Sequence, residues 1–266
     1  MSSANAIPFY KYQGTGNDFV LIDNRGAGHL QGRDTDLIKR LCDRRFGIGA
    51  DGLILLQERQ GYDFEMVYFN ADGRESSMCG NGGRCITAFA KFLGIIHERT
   101  HFLAIDGPHD AFIDVEDWVE LKMSDVASVE SGEDYFIMDT GSPHYVIFVE
   151  DLDDIDVVNN GQAIRYSERF RAEGINVNFV EKNRSGIMVA TYERGVEDET
   201  LSCGTGVTAA AIAYYLKQPT ADRQEVAISS KGGPLKVRLA PDAEGGFQNV
   251  WLGGAAQQVF QGHFPK

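Results

Sequence analysis

The chain has no basic run, no apolar stretch long enough to cross a membrane, and only four cysteines. Each absence excludes something. A net charge of −14, from 25 basic and 39 acidic residues, offers nothing to a polyanion, so neither nucleic acid nor an anionic membrane is expected as a partner. A membrane helix needs about 20 consecutive apolar residues, and none are present. The opening MSSANAIPFY lacks the basic start and apolar core of a signal peptide, and a cytoplasmic protein is expected. Cysteines 42, 79, 85 and 203 fit no zinc spacing, contain no C-x-x-C and are too few to frame a fold of 266 residues with disulfides. His29, His97, His101, His109 and His263 show no metal-ligand spacing and are read as surface residues; no metal is expected.

What is present is one short element, twice. CGNGGRCITA begins at Cys79 and CGTGVTAAA at Cys203. Each is a cysteine and a Gly-x-Gly turn running into a helix of small residues. Each thiol is therefore expected at a helix N-terminus, where unpaired N–H groups and the helix dipole stabilise a thiolate or hold a carboxylate. The repeat extends further. GTGNDFVLID is echoed by TGSPHYVIFVED, placing Asn17 opposite Ser142 at an offset of 125. Gly47 and Gly174 are offset by 127, Asn70 and Glu193 by 123, and the two cysteines by 124. Four elements in one order at near-constant spacing mean two copies of one design.

An apolar fraction of 43% suffices for packed cores, and the duplication divides the chain into two domains. The junction is expected in the polar stretch Ser124–Asp134. Fourteen strand candidates run from Phe9–Tyr12 to Ala256–Gly262, with mostly antiparallel pairing implied by tight turns such as Asp72-Gly73. Helices are expected at Asp34–Arg44, Gly80–Leu93, Ala163–Phe170 and Gly204–Lys217. The two cysteine helices are apolar on nearly every side and should be buried. The fold class is α+β, as two pseudo-symmetric domains, each a curved, mostly antiparallel sheet around a central helix.

Two opposed thiols suit one chemistry well. Inverting a carbon between an amine and a carboxylate means removing a proton from one face and delivering one to the other. One group from each domain, across a cleft, does both, while helix N-termini steady the developing enolate. A cofactor-independent amino-acid racemase or epimerase is expected.

NADGRESSMCGNGGR, from Asn70 to Arg84, closely resembles the signature of diaminopimelate epimerases. GTGNDF at Gly14, RRFGIGADG at Arg44, SPH at Ser142, YERG at Tyr192 and SCGTG at Ser202 resemble that family's other landmarks, in family order. The resemblance implies interconversion of LL- and meso-diaminopimelate without pyridoxal phosphate or any other cofactor, in lysine and peptidoglycan-precursor biosynthesis. It implies Cys79 and Cys203 as the two bases, with His144 and Glu193 tuning them or holding the reacting amine. Gly80, Asn81, Gly204 and Thr205 would hold the reacting carboxylate, and Asn17, Asn70, Asn176, Glu193 and Arg194 would line the pocket, Arg194 by a forked pair to the distal carboxylate. It also implies domains 1–123, carrying Cys79 and completed by a C-terminal strand 254–266, and 124–253, carrying Cys203. The partner is the small-molecule substrate, with a homodimer possible.

Three positions depart from the family pattern. Ser142 stands where Asn is common, Arg74 where Ser is usual, and Gly52 where some members have a glutamine reaching the site. Proline racemase-like enzymes share the fold and paired cysteines but carry a histidine at the position of Asn81; phenazine-biosynthesis relatives lack the cysteine pair. Other readings are a racemase of proline or hydroxyproline, a thiol redox protein, and a non-catalytic amino-acid-binding protein. Cys42 and Cys85, outside the turn-to-helix setting, are read as core.

Overall fold

The computed structural model describes residues 6–26, 28–30, 34–217, 219–220 and 224–265; residues 1–5 and Lys266, at the ends of the expected first domain, lie outside them. Elements run β1 (Ala6–Gly14), β2 (Asn17–Asp23), α1 (Thr35–Cys42), β3 (Gly52–Gln57), β4 (Glu65–Asn70), α2 (Gly80–Phe92), β5 (Arg99–Ala104), β6 (Gly107–Ile113) and β7 (Trp118–Lys122). There follow β8 (Val129–Ser131), β9 (Tyr135–Asp139), β10 (Pro143–Val149), α3 (Val157–Arg165), β11 (Asn176–Lys182), β12 (Gly186–Glu193), β13 (Asp198–Thr200) and α4 (Gly204–Lys217). The last are β14 (Glu225–Ser230), β15 (Gly233–Pro241), β16 (Phe247–Ala255) and β17 (Gln257–Pro265).

The chain divides into two compact units, Met1–Leu121 with Ala255–Lys266, and Lys122–Gly254. Their strand pairings repeat. In the first unit β1–β2 is antiparallel, β2–β3 parallel across α1, and β3–β4 antiparallel; α2 then crosses to β5, parallel to β4. In the second, β9–β10 is antiparallel, β10–β11 parallel across α3, and β11–β12 antiparallel; α4 crosses to β14, parallel to β12. The parallel pairs occur where a helix makes the crossover, as such pairs require. In the first unit β17 pairs with β1.

Alternation along each strand sends side chains to two differently covered faces. In the first unit Val20, Ile22, Leu53 and Leu55 pack toward α1 with Ile38 and Leu41. The opposite face meets α2: the rings of Tyr10 and Tyr12 lie 4.8 and 5.8 Å from Phe89. Both faces being covered, β3 reads LILL with no polar alternation, and those residues are all buried. The second unit matches this. Val177, Phe179, Ala190 and Tyr192 face α3, while α4 packs on β10, β11 and β12.

The second glycine of each Gly-x-Gly turn is a packing requirement. A Cβ at Gly82 would stand 3.1 Å from Ile54 Cδ1 and 3.2 Å from Met66 Cε; one at Gly206 would stand 2.4 Å from Asn178 Oδ1. Each cysteine helix thus lies with its first turn directly on the sheet. Gly206→Ala should overpack this contact and cost about 1 kcal/mol or more, seen as a lower urea midpoint with an unchanged m-value.

Several expectations need correction. The third helix is Val157–Arg165, not Ala163–Phe170; Asp156 caps it by accepting from Asn159 N, a start that its weak periodicity hid. Asp34 sits at the N-cap of α1 without a side-chain cap bond, and α1 ends at Cys42. Strands β5, β8 and β13 were not foreseen; β8 and β13 are three residues each, too short to show alternation. The strand expected at Ala111–Val115 is β6, ending at Ile113, with Val115 exposed in the following turn. Asp72-Gly73 turns the chain back only to an isolated bridge between Phe69 and Glu75. His109 is not on the surface: it is 9% exposed, stacked on Phe102 and bonded to Asp106, because alternation along β6 turns it inward with Ala111 and Ile113. Ser124–Asp134 belongs wholly to the second unit.

Candidate active site

In the first unit, Cys79 is the N-cap of α2 in extended conformation, with Gly83 N bonded to its carbonyl. Its Sγ lies 3.6 Å from Asn17 Oδ1, which also accepts from Asn81 Nδ2 at 3.3 Å. Asn17 follows a tight turn in which Thr15 (φ +50°) and Gly16 (φ +85°) are left-handed. Two groups hold that turn. Arg84, fully buried, donates Nη2 to Thr15 Oγ1 at 2.9 Å. Burial pushes the Arg84 pKa down, and the neighbouring Cys85 and Cys79 thiols oppose the shift, so its cation lies within electrostatic reach of Cys79. Asp51 Oδ2 accepts from Asn17 Nδ2 at 2.6 Å, so that the amide oxygen, not the nitrogen, faces Cys79.

Asp51 is itself held by Arg44, which forks between Asp18 and Asp51 at 2.7 Å each, while Lys11 pairs with Asp18 at 2.7 Å and donates to Gly49 O. Burial works to raise the Asp18 pKa, but the Arg44 and Lys11 hydrogen bonds outweigh it and hold the carboxyl far below its usual range. A carboxyl depressed in the folded state stabilises the fold above its unfolded pKa of about 4, and that contribution is lost as pH falls toward the folded value. The urea midpoint of the wild type should therefore fall between pH 5 and pH 2 more steeply than that of Asp18→Asn.

In the second unit, Cys203 is 8% exposed directly before α4 and receives Val207 N on its carbonyl. Its Sγ is 3.4 Å from Thr205 Oγ1, which is 2.8 Å from Nε2 of the fully buried His144. Burial, reinforced by the Arg194 charge, pushes the His144 pKa down to about 3, so the ring is neutral at physiological pH. Its Nδ1 is 3.0 Å from Asn178 Nδ2. Asn176 donates to Ser142 Oγ (2.9 Å) and Pro143 O (3.0 Å) and accepts from Arg194 N (2.9 Å). The Arg194 guanidinium spans Glu173 O at 3.0 Å and Ser142 Oγ at 3.4 Å, its edge otherwise turned to solvent. Gly174, at φ +77°, must be glycine here: a Cβ would lie 2.7 Å from Arg194 Cδ.

Asn17, Cys79, Gly80 and Asn81 are thus brought together in one unit, and His144, Asn176, Arg194, Cys203, Gly204 and Thr205 in the other. Asn70 and Glu193 close the corresponding strands β4 and β12, at the ends nearest the cysteine turns in sequence. Cys42 and Cys85 are core residues, and burial pushes both thiols up to about 12, leaving them unreactive. Gly52 excludes any side chain, since a Cβ would lie 2.6 Å from Phe69 O and from Tyr68 Cε2; the Tyr68 ring takes that place. Arg74 is 84% exposed with Asp72, not Glu75, as its nearest acid. Sequence reasoning missed Asp51, Arg84, Asn178 and Thr191. Asn178 and Thr191 share strand faces with Asn176 and Glu193, so two-residue alternation was the available signal. No group of residues suited to hold a metal occurs among the described residues, nor a helix long and apolar enough to cross a membrane.

Solved structures of the same fold include a Bacillus anthracis phenazine biosynthesis protein of the PhzF family (TM-score 0.75, 12% identity, 98% of this chain and 99% of that one). A hydroxyproline epimerase from Agrobacterium vitis gives TM-score 0.70 at 13% identity, covering 100% of this chain and 94% of that one. At such identities the likeness is one of fold alone. Sequence relatives are much nearer. A diaminopimelate epimerase of Flavobacterium psychrophilum is 51% identical over 253 residues, 95% of this chain and 98% of its own. That of Aquifex aeolicus is 37% identical over 272 residues, covering 96% of each chain. The family model for diaminopimelate epimerase matches residues 9–117 and 136–256. Those segments contain both cysteine turns and every hydrogen-bonded group around them, and the chain belongs to the diaminopimelate epimerase family.

Proposed function

We propose that this protein interconverts LL- and meso-diaminopimelate by a two-base reaction in which Cys79 and Cys203 act on opposite faces of the α-carbon. The observation that carries the reading is the paired setting of the thiols: each precedes a buried helix N-terminus, and each has a polar side chain on its sulfur, Asn17 on Cys79 and Thr205 on Cys203. One cysteine enters as thiolate and takes the α-proton; the other, as thiol, delivers its proton to the opposite face. The charge that builds on the substrate carboxylate in between is met by N–H groups of Gly80, Asn81, Gly204 and Thr205. The protein ends with the two protonation states exchanged, and no redox change occurs. No step requires a cofactor.

Arg194, with Asn176 bonded to its backbone and Ser142 accepting from its Nη2, is the group suited to the second carboxylate. With Ser142 in place of the common asparagine, the hydroxyl oxygen accepts from both Asn176 and Arg194. It steadies one edge of the arginine, and its own hydrogen remains available to a ligand. A site that pairs a distal amino-acid head group rejects substrates without one, because its polar groups would then lose water and gain no partner. The reading places the enzyme in the cytoplasm, in lysine and peptidoglycan-precursor synthesis, acting on a small-molecule substrate. Incubation with LL-diaminopimelate followed by chiral separation should show meso-diaminopimelate forming to equilibrium, and proline should stay unchanged. Racemisation of proline would instead move the protein to the proline racemase-like reading.

A further inference from the structure

Hydrogen-bond direction at His144, next to Cys203, is fixed by a chain that begins well away from the sulfur. The Asn178 amide touches three groups. Its Nδ2 lies 3.1 Å from Tyr145 O, which can only accept, and its Oδ1 lies 2.9 Å from Thr191 Oγ1, which donates to it. The amide therefore has one orientation, and its second N–H points to His144 Nδ1 at 3.0 Å. That nitrogen must be bare. A neutral ring bare at Nδ1 carries its proton on Nε2, which then donates to Thr205 Oγ1 at 2.8 Å. With its oxygen accepting from the ring, the Thr205 hydroxyl has its own hydrogen to give to Cys203 Sγ, 3.4 Å away. Asn176 Nδ2 lies 3.5 Å from the same ring nitrogen, but both its hydrogens are committed to Ser142 Oγ and Pro143 O.

We propose that Asn178 is a positioning residue that locks His144 as its Nε2–H tautomer and so turns the Thr205 hydroxyl onto Cys203, favouring the Cys203 thiolate. A hydrogen bond donated to the charged form favours it, adding to the helix N-terminus. Gly204 to Ile212 of α4 include no ionisable side chain, nor do Asn176 to Val180 of β11. The charge that acts on the ring is that of Arg194, which opposes its protonation. At the other sulfur the facing side chain is the Asn17 amide oxygen, an acceptor suited to a thiol proton, and the charge within reach is the buried Arg84 cation. The inference rests on the epimerase reading for its meaning, but its test does not use turnover.

Nitrogen-15 NMR of histidine-labelled wild-type protein, with His144 assigned by its disappearance in His144→Gln, reads the tautomer directly. The expected result between pH 5 and 8 is a protonated Nε2 and a bare Nδ1; an Nδ1–H ring or an imidazolium overturns the proposal. In Asn178→Leu the ring should lose this single tautomer. The pH midpoint for iodoacetamide alkylation of Cys203, read by peptide mass spectrometry, should rise by about one unit, or tenfold slower labelling below the midpoint, with Cys79 labelling unchanged as the control for folding. A midpoint at Cys203 that stays put, or moves together with that of Cys79, overturns it. An expected tautomer in a protein that does not turn over diaminopimelate would sink the epimerase reading alone.

Discussion

Cys79→Ala and Cys203→Ala should each abolish epimerisation while leaving the fold intact. Inversion needs a proton taken from one face and another given to the opposite one, and removing either thiol leaves one face without a partner. The loss should exceed a thousandfold in kcat, since positioned acid–base catalysis contributes about 10²–10⁴-fold for each group. Cys→Ser at either position should be almost as severe, because a hydroxyl is a far weaker acid and ionises little even at a helix N-terminus. Folding should survive at Cys79, which is only half-buried, and nearly so at Cys203, where alanine removes one sulfur from a site 8% exposed. Cys42 and Cys85 serve as controls: Ala at those buried positions should lower stability without touching the chemistry. Progress curves by chiral separation, with circular dichroism to check the fold, give the answer. An alanine variant of Cys79 or Cys203 that retains wild-type turnover would rule out the two-base account.

Arg194→Lys should weaken catalysis through binding. The guanidinium already spans Glu173 O and Ser142 Oγ, which sets its plane and leaves its outer edge for two parallel bonds to a carboxylate. A lysine ammonium keeps the charge but cannot make that fork or bridge those anchors. About 1.5–3 kcal/mol should be lost, the usual worth of hydrogen bonds to a charged group, equal to roughly 10–150-fold in kcat/KM. Because the contact is made by the bound substrate as well as the transition state, KM should carry most of the change. Steady-state kinetics on diaminopimelate decide; unchanged kinetics would remove Arg194 from the substrate site.

Much of this was legible in the sequence, for physical reasons. The duplicated turn-to-helix element placed both cysteine helices, because Gly-x-Gly followed by a run of small apolar residues has few other uses; α4 was read to its last residue and α2 to within one of its end. The strands around them showed because alternation or uninterrupted apolar runs mark half-buried and fully buried strands respectively. What stayed hidden depended on tertiary contacts. Arg84 in a helix interior looks like a solvated cation until packing encloses it. Asp51 and Asn178 act through atoms brought close by parallel pairing of β2 with β3 and of β10 with β11, far apart in sequence. The start of α3 was missed because a short helix over the outer face of a sheet has a narrow apolar stripe. His109 was misplaced because charge and polarity suggested surface, while its position in β6 turned it inward.

The most direct test of the central claim is exchange of the α-proton with solvent. Purified protein incubated with LL-diaminopimelate in D₂O should yield meso-diaminopimelate carrying one deuterium at the inverted carbon, delivered from a thiol that had equilibrated with solvent, and deuterium should enter the substrate pool as the reaction reverses. Neither a thiol redox protein nor a binding protein does this. Product formed without deuterium, or no exchange and no inversion under conditions where both thiols are reduced, would contradict it.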